Sequence, residues 1–529
     1  MKNAAKLITS PWILLVSGAL TALPLLFPRA GMLGFVSMIP ALLFLFSAAE
    51  AGATRIRRFY RYGFFYFFPF YFVNYYWFLA LYPMSFAGIT KGQAALTVAL
   101  CWAGLSLLHA LIGALLFPLF AALCRTSALK KLPLAVPFLF AGLYSVLEWC
   151  MTHTFAGVPW ARLALGLIET PLLPNAAALF GTYFLTFCLC LFNGMLAFLI
   201  LHKNRRRTAA VLAALTVVLN TVCGGIGYCT ADVGSGESMV IAAVQGNVGS
   251  AEKWNAEYTK RTKEIYEKYT AEAAKAGADM VVFPETFLPY HMGEGSALRE
   301  YIRGLATTYG VTVRCGAFDT GEEGQEYNAV FTVYPDGRVD DTVYKKRKLV
   351  PFGEYVPFRR VAEVIVPVFA DIGMLTEDLT PGTGSELLDT EWGKIGTLIC
   401  FDSIYEMLTL QSVRDGANVM ILPTNDSWFT DSAAAYMHNN QARYRAIESN
   451  RYFVRAADTG ITDIIDPRGD TEGVLLPMVE GMTVGTVYLN SARTLYSYIG
   501  NLFVYLLIAA CAAPALFELV RVLPCKKKK

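Results

Sequence analysis

Apolar and polar positions divide the chain into two regimes. From the N-terminus to about residue 227 the sequence is a succession of apolar runs of roughly 17 to 30 residues, enough to cross a hydrocarbon core as helix. Seven runs centre near Val16, Leu42, Tyr71, Ser106, Leu139, Phe187 and Ala214, and an eighth covers residues 495–519. The pattern predicts eight membrane-spanning helices: a transmembrane region over 1–230, a C-terminal span over 495–520 and a basic tail over 521–529. The first run does not read as a cleavable signal, because further spans come at once and no clear small-x-small site closes it. Between residues 238 and 490 the pattern changes. Short strand-like runs at 239–244, 280–283, 311–317, 329–334, 394–399 and 419–422 alternate with helical or irregular stretches. One amphipathic helix over 256–276 is stopped by Gly277. Strands spaced by helices predict an α/β domain of about 250 residues with its own core.

Composition agrees with a chain partly in a bilayer, since 55% of its 529 residues are hydrophobic and the mean hydropathy is +0.42. The net charge of +3 comes in short clusters, which argues against nucleic acid as a partner. Those clusters alternate along the chain. Lys2 and Lys6 precede the first span; Arg55, Arg57, Arg58 and Arg61 follow the second; Arg125, Lys130 and Lys131 follow the fourth; Lys203, Arg205, Arg206 and Arg207 follow the sixth; Lys526 to Lys529 come last. The other connections carry little beyond Arg29, Lys91 and Arg162. Basic loops face the cytoplasm, so both termini are expected there and the α/β domain outside. The aromatic third span is expected to anchor at the interface, the polar loop 152–163 to pack against the outer domain, and Asn74 and His109 to hydrogen-bond between helices.

The eleven cysteines show no paired spacing and no Cys-x-x-Cys, and P-loop, Gly-x-Gly-x-x-Gly and His-Glu-x-x-His motifs are absent. No metal, cofactor or disulfide framework is expected. The chemistry concentrates instead at three strand ends. I-G-T-L-I-C-F-D-S-I-Y-E carries Cys400 where a buried strand should turn sharply; V-V-F-P-E-T-F-L-P delivers Glu285; Y-K-K-R-K-L-V-P-F-G-E-Y-V-P holds Lys345, Lys346, Lys348 and Glu354. A carboxylate, an ammonium and a thiol at strand ends are the parts of a Glu-Lys-Cys site.

These segments, with V-Q-G-N at Gln245, K-W-N at Trp254, Y-N-A at Asn328, T-N-D-S-W-F at Asn425 and H-N-N-Q-A-R-Y-R-A-I-E-S-N-R from His438, resemble the nitrilase or carbon-nitrogen hydrolase superfamily. More narrowly, L-V-P-F-G-E-Y-V-P and eight spans around one outer domain are similar to the bacterial apolipoprotein N-acyltransferase family. The resemblance implies an α-β-β-α sandwich, Glu285 as general base, Lys346 as cationic stabiliser and Cys400 as nucleophile. The choice of Lys346 rests on the family spacing Tyr-x-Lys-x-x-Leu; strand alternation alone would put Lys348 on the same side. Glu354 would be a second carboxylate near the thiol and Trp254 a lid tryptophan, with Asn328, Phe401 and Asp402 as supporting or substrate-binding positions. Phe401-Asp402 stands where the family usually has Tyr-Glu, and Asp458 where it commonly has asparagine. The implied reaction moves an acyl chain from a phospholipid, through a cysteine thioester, to the N-terminal amine of a diacylglyceryl apolipoprotein, with ping-pong kinetics at the bacterial inner membrane. A membrane-anchored amidohydrolase of the same superfamily is the alternative.

Overall fold

The computed structural model describes residues 10–522 apart from 53, 85–88, 155–156, 254, 358 and 360–377. The chain divides into two compact units, one built from 1–79, 99–230 and 498–529, the other from 80–98 and 231–497.

Every apolar run becomes helix. Seven helices among the described residues are long and apolar enough to cross a membrane: Pro28–Glu50, Ile56–Leu81, Lys91–Cys124, Pro133–His153, Thr182–Leu201, Lys203–Thr230 and Leu502–Arg521. The first run forms Trp12–Leu26, apolar but only 15 residues, about 22 Å of helix. The last span starts later than expected. Gly500, at φ +55°, separates a short helix, Leu495–Ile499, from the long one that begins at Leu502.

Three expectations for the helical unit change. In the helix Ile56–Asn74 the helical period gathers Phe59, Tyr66, Phe67, Phe70 and Tyr71 on one buried face, where they pack against Phe117 and Tyr144 of neighbouring helices; these rings build the core rather than anchor at an interface. The loop at 157–163 buries Trp160 and Arg162 inside the helical unit itself. Arg162 donates to Thr152 Oγ1 at 3.1 Å, and the Leu163 N–H donates to Glu148 Oε1 at 2.8 Å. His109 does pair, through Nδ1 to the Tyr75 hydroxyl at 2.6 Å, but buried Asn74 has no hydrogen-bond partner for its side chain among the described residues.

The second unit is a two-sheet sandwich. One sheet runs β12-β1-β2-β3-β4-β5 and the other β11-β10-β9-β8-β7-β6. The strands are β1 Ser238–Gln245, β2 Met280–Val282, β3 Thr312–Thr320, β4 Glu326–Val333, β5 Tyr344–Lys345, β6 Leu388–Thr390, β7 Gly393–Thr397, β8 Val419–Thr424, β9 Phe453–Ala457, β10 Thr462–Ile465, β11 Thr471–Leu475 and β12 Gly481–Tyr488. Both sheets share one plan: three central parallel strands (β1-β2-β3, β7-β8-β9) flanked by antiparallel ones. Alternation along each strand builds the layers. Ile241 and Ala243 of β1 face Ile395, Ile421 and Val454 of the other sheet, whereas Ala242 and Val244 face Tyr266 and Ile302 of two covering helices, α1 (Ala256–Lys275) and α2 (Ala297–Tyr309). On the far side Met420, Leu422 and Phe453 pack on Ala442 and Ala446 of α3 (Ala433–Ser449). The order is α-β-β-α.

Candidate active site

The parallel strands of a sandwich end together, and the segments leaving those ends converge. Glu285 comes three residues after β2, Asn425 directly after β8, and Cys400 three residues after β7, where the chain turns into a 3-10 segment, Cys400–Ile404. Glu285 is seated by a close backbone approach: a Cβ on Gly316 of β3 would lie 2.6 Å from the Thr286 nitrogen and 2.7 Å from Glu285 Cα, so only glycine fits there. Cys400 itself sits at φ +47°, in the left-handed region that side chains rarely occupy.

Around Glu285 the polar groups form one closed cluster. Lys346 Nζ donates to Glu285 Oε1 at 2.8 Å and contacts Glu354 Oε1 and Oε2 at 3.0 and 2.9 Å. Asn328 Nδ2, on β4, bridges the same two carboxylates at 2.7 and 2.8 Å. The Asn425 N–H donates to Glu285 Oε2 at 2.9 Å, and the Val350 N–H to Glu354 Oε2 at 2.8 Å. The lysines part at the end of β5. Lys345 points to Asp319 at 3.1 Å and lies over the Tyr327 ring, and Lys348, past the strand end, is exposed over Tyr405; Lys346 is buried among the carboxylates.

Charge and burial oppose each other here. Burial alone would push the Lys346 ammonium down, but Glu285 and Glu354 outweigh it and hold the group well above its ordinary range, so it stays charged. Burial, with Glu285 beside it, pushes the Glu354 carboxyl up against the pull of Lys346. The Cys400 thiol is raised well above its ordinary 9.0, first by burial and then by Glu285, with Lys346 opposing. At neutral pH it is a thiol, and attack requires a group to take its proton.

The neighbouring residues take places the sequence did not foretell. Asp402, expected as a supporting or substrate-binding position, is fully buried and pins the turn: it accepts from the Ile399, Arg347 and Lys348 N–H groups at 3.0, 3.2 and 2.7 Å and from the Tyr344 hydroxyl at 2.8 Å. Phe401 is buried, its ring edge-on to Tyr405 at 5.5 Å. Asp458 forms a buried ion pair with Lys253 at 3.0 Å, and the same ammonium donates to the Glu285 carbonyl at 2.9 Å. Trp254 lies outside the described residues.

A double sheet sandwich with a carboxylate, a lysine and a cysteine at its strand ends defines a carbon-nitrogen hydrolase domain, and the family model described as carbon-nitrogen hydrolase matches residues 240–496. A second, described as the apolipoprotein N-acyltransferase N-terminal domain, matches residues 17–195. The apolipoprotein N-acyltransferase of Geobacter metallireducens is 33% identical over 396 residues, 73% of this chain and 74% of its own. That of Gloeobacter violaceus is 29% identical over 84% of this chain and 82% of its own. An amidase structure from Nesterenkonia sp. aligns at 19% identity with a TM-score of 0.38, over 49% of this chain and 94% of its own. The chain belongs to the apolipoprotein N-acyltransferase family, and its function is lipoprotein N-acylation in a bacterial membrane.

Proposed function

We propose that the chain acylates lipoproteins by a ping-pong reaction on Cys400, with Glu285 as base and Lys346 as oxyanion partner. The observation that carries this reading is the buried Glu285–Lys346–Glu354 cluster beside the Cys400 thiol, which sits in a left-handed turn. In the first half-reaction Cys400 Sγ attacks the ester carbonyl of a phospholipid while Glu285 takes the thiol proton. Lys346 faces the developing oxyanion. The tetrahedral intermediate collapses to a thioester, and the lysophospholipid alkoxide leaves with the proton from Glu285. In the second, the N-terminal amine of a diacylglyceryl lipoprotein attacks the thioester, Glu285 takes the amine proton and returns it to the departing sulfur, and an amide and a free thiol result. Asn328 and Glu354 hold the acid cluster in register.

Both substrates are lipids or lipid-anchored, which is the physical reason for coupling such a domain to apolar helices. We read eight spans, 1–230 and 495–520, around a catalytic domain at 238–490 on the outer side of the inner membrane, with both termini cytoplasmic, from the alternation of basic loops. A reporter fused at Asn490 tests the topology: extracytoplasmic activity is expected, and cytoplasmic activity contradicts it. Mass spectrometry of the purified chain with phospholipid tests the chemistry. An acyl adduct on the Cys400 peptide, absent in Cys400→Ala, is expected; an adduct on another cysteine contradicts the assignment.

A further inference from the structure

Two buried groups beside the thiol, Asp426 and His438, have no part in the reaction above. With Cys400 they bring a sulfur, a carboxylate oxygen and a ring nitrogen within 4.8 Å of one another, ligand types suited to a transition metal. The carboxylate is already engaged. Asp426 Oδ2 accepts from Arg455 Nη2 at 2.6 Å, and Oδ1 accepts from Thr424 Oγ1 at 3.1 Å and lies 2.8 Å from His438 Nδ1. Arg455 therefore supplies the positive charge that a metal ion would bring.

The hydrogen bonds tie the ring to the turn that carries the nucleophile. His438 Nε2 stands 3.1 Å from the Cys400 carbonyl and 3.1 Å from Ser403 Oγ, and that hydroxyl donates to the Cys400 carbonyl at 2.8 Å. Nε2 thus faces the turn, and Nδ1 faces the Asp426 carboxylate. Arg455 Nη2 also lies 3.1 Å from Nδ1, a contact between donors that the Asp426 carboxylate they share offsets. Burial pushes that carboxyl up, but Arg455 and His438 outweigh it and hold it below the usual carboxylate range. Asp426, Arg455 and the Cys400 thiol are the titratable or charged groups bonded to or grouped with the ring; Glu406 and Asp463 reach the same helix through Arg445 and Asn439 instead.

We propose that His438 is a positioning residue for the nucleophile: held by Asp426, it donates through Nε2 to the Cys400 carbonyl and locks the left-handed turn that presents the sulfur. A left-handed cysteine persists only where its surroundings hold it, and this carbonyl has two donors, Ser403 and His438. The inference rests on Cys400 as the nucleophile.

The test uses the purified full chain and His438→Gln, whose amide can offer one N–H but no charge. Acylation of Cys400 in a single turnover should slow about ten- to a hundredfold, the scale of losing a charge-assisted hydrogen bond. Alkylation of Cys400 by iodoacetamide should slow as well, because the turn no longer presents the sulfur, while melting stays near wild type. A folded His438→Gln protein with wild-type acylation and alkylation profiles overturns the proposal. Should that variant fail to fold, the wild-type ring decides: with the other four histidines replaced, 15N spectra at pH 7 should show His438 Nε2 carrying hydrogen, and a bare Nε2 overturns it. Failure of the nucleophile reading is distinct, since it shows as an adduct that survives Cys400→Ala.

Discussion

Lys346 and Glu285 meet at 2.8 Å with side chains only 2% and 6% exposed, and Glu354 closes on the same ammonium at 2.9 Å. One cation therefore serves two buried carboxylates. Removing it should do more than remove an oxyanion partner. Lys346→Ala leaves two acids facing each other in the interior, with an expected stability loss of about 3 to 5 kcal/mol and a fall in acylation of at least about a hundredfold. Thermal melts and adduct kinetics on the same preparation check both; loss of rate without loss of stability would contradict this picture of the cluster.

Glu285 raises the thiol and, in the proposed reaction, also takes its proton. The two effects separate in Glu285→Gln. Without the neighbouring charge the thiolate is easier to form, so alkylation at a fixed pH should rise; without the base, acylation by phospholipid should fall at least about a hundredfold. Parallel iodoacetamide and acyl-adduct time courses measure this. A parallel fall of both would make Glu285 structural.

Local pattern made much of this legible. An apolar run ending at a small turn around Cys400, and another delivering Glu285, are strand signals carried within ten residues, and each lies where expected. Lys346 could not be separated from Lys348 by alternation, because β5 stops at Lys345 and the period of two stops with it. Strands β9 to β12 were not foreseen: β9 and β10 are short and buried on both sides, leaving no polar alternation to read, and β11 is mostly exposed. His438 and Asp426 are 12 residues apart and meet only through the packing of α3 on the second sheet, which no local signal carries. For Asp402, read as a supporting or substrate-binding position, the sequence left the partners open; its carboxylate faces backbone N–H groups.

Asp402→Ala tests whether Asp402 holds the turn. Three N–H groups and a tyrosine hydroxyl lose a buried acceptor, so the loss should reach about 3 kcal/mol or more, while Asp402→Asn, which keeps one acceptor oxygen, should cost about half as much. Thermal melting of the two variants decides. An Asp402→Ala protein as stable as wild type but altered in substrate preference would return Asp402 to the substrate surface.

Asp426 gives stability a pH dependence with a definite sign. Its folded carboxyl is depressed below the ordinary 3.8, so its contribution is complete above about pH 4 and is lost as pH falls through the folded value. The stability gap between wild type and Asp426→Asn should be widest near neutrality and narrow on acidification below about pH 4. Acid unfolding of both proteins measures the gap, and one that widened toward low pH would reverse the sign.

Transfer through Cys400 is open to a single-turnover chase. Acyl-enzyme formed from labelled phospholipid is separated from excess donor and mixed with a diacylglyceryl peptide, and the label is tracked by mass spectrometry. Transfer predicts that label leaves the Cys400 thioester and appears as an amide on the peptide N-terminus. Label released only as free fatty acid with the peptide present would make the enzyme a hydrolase and contradict it.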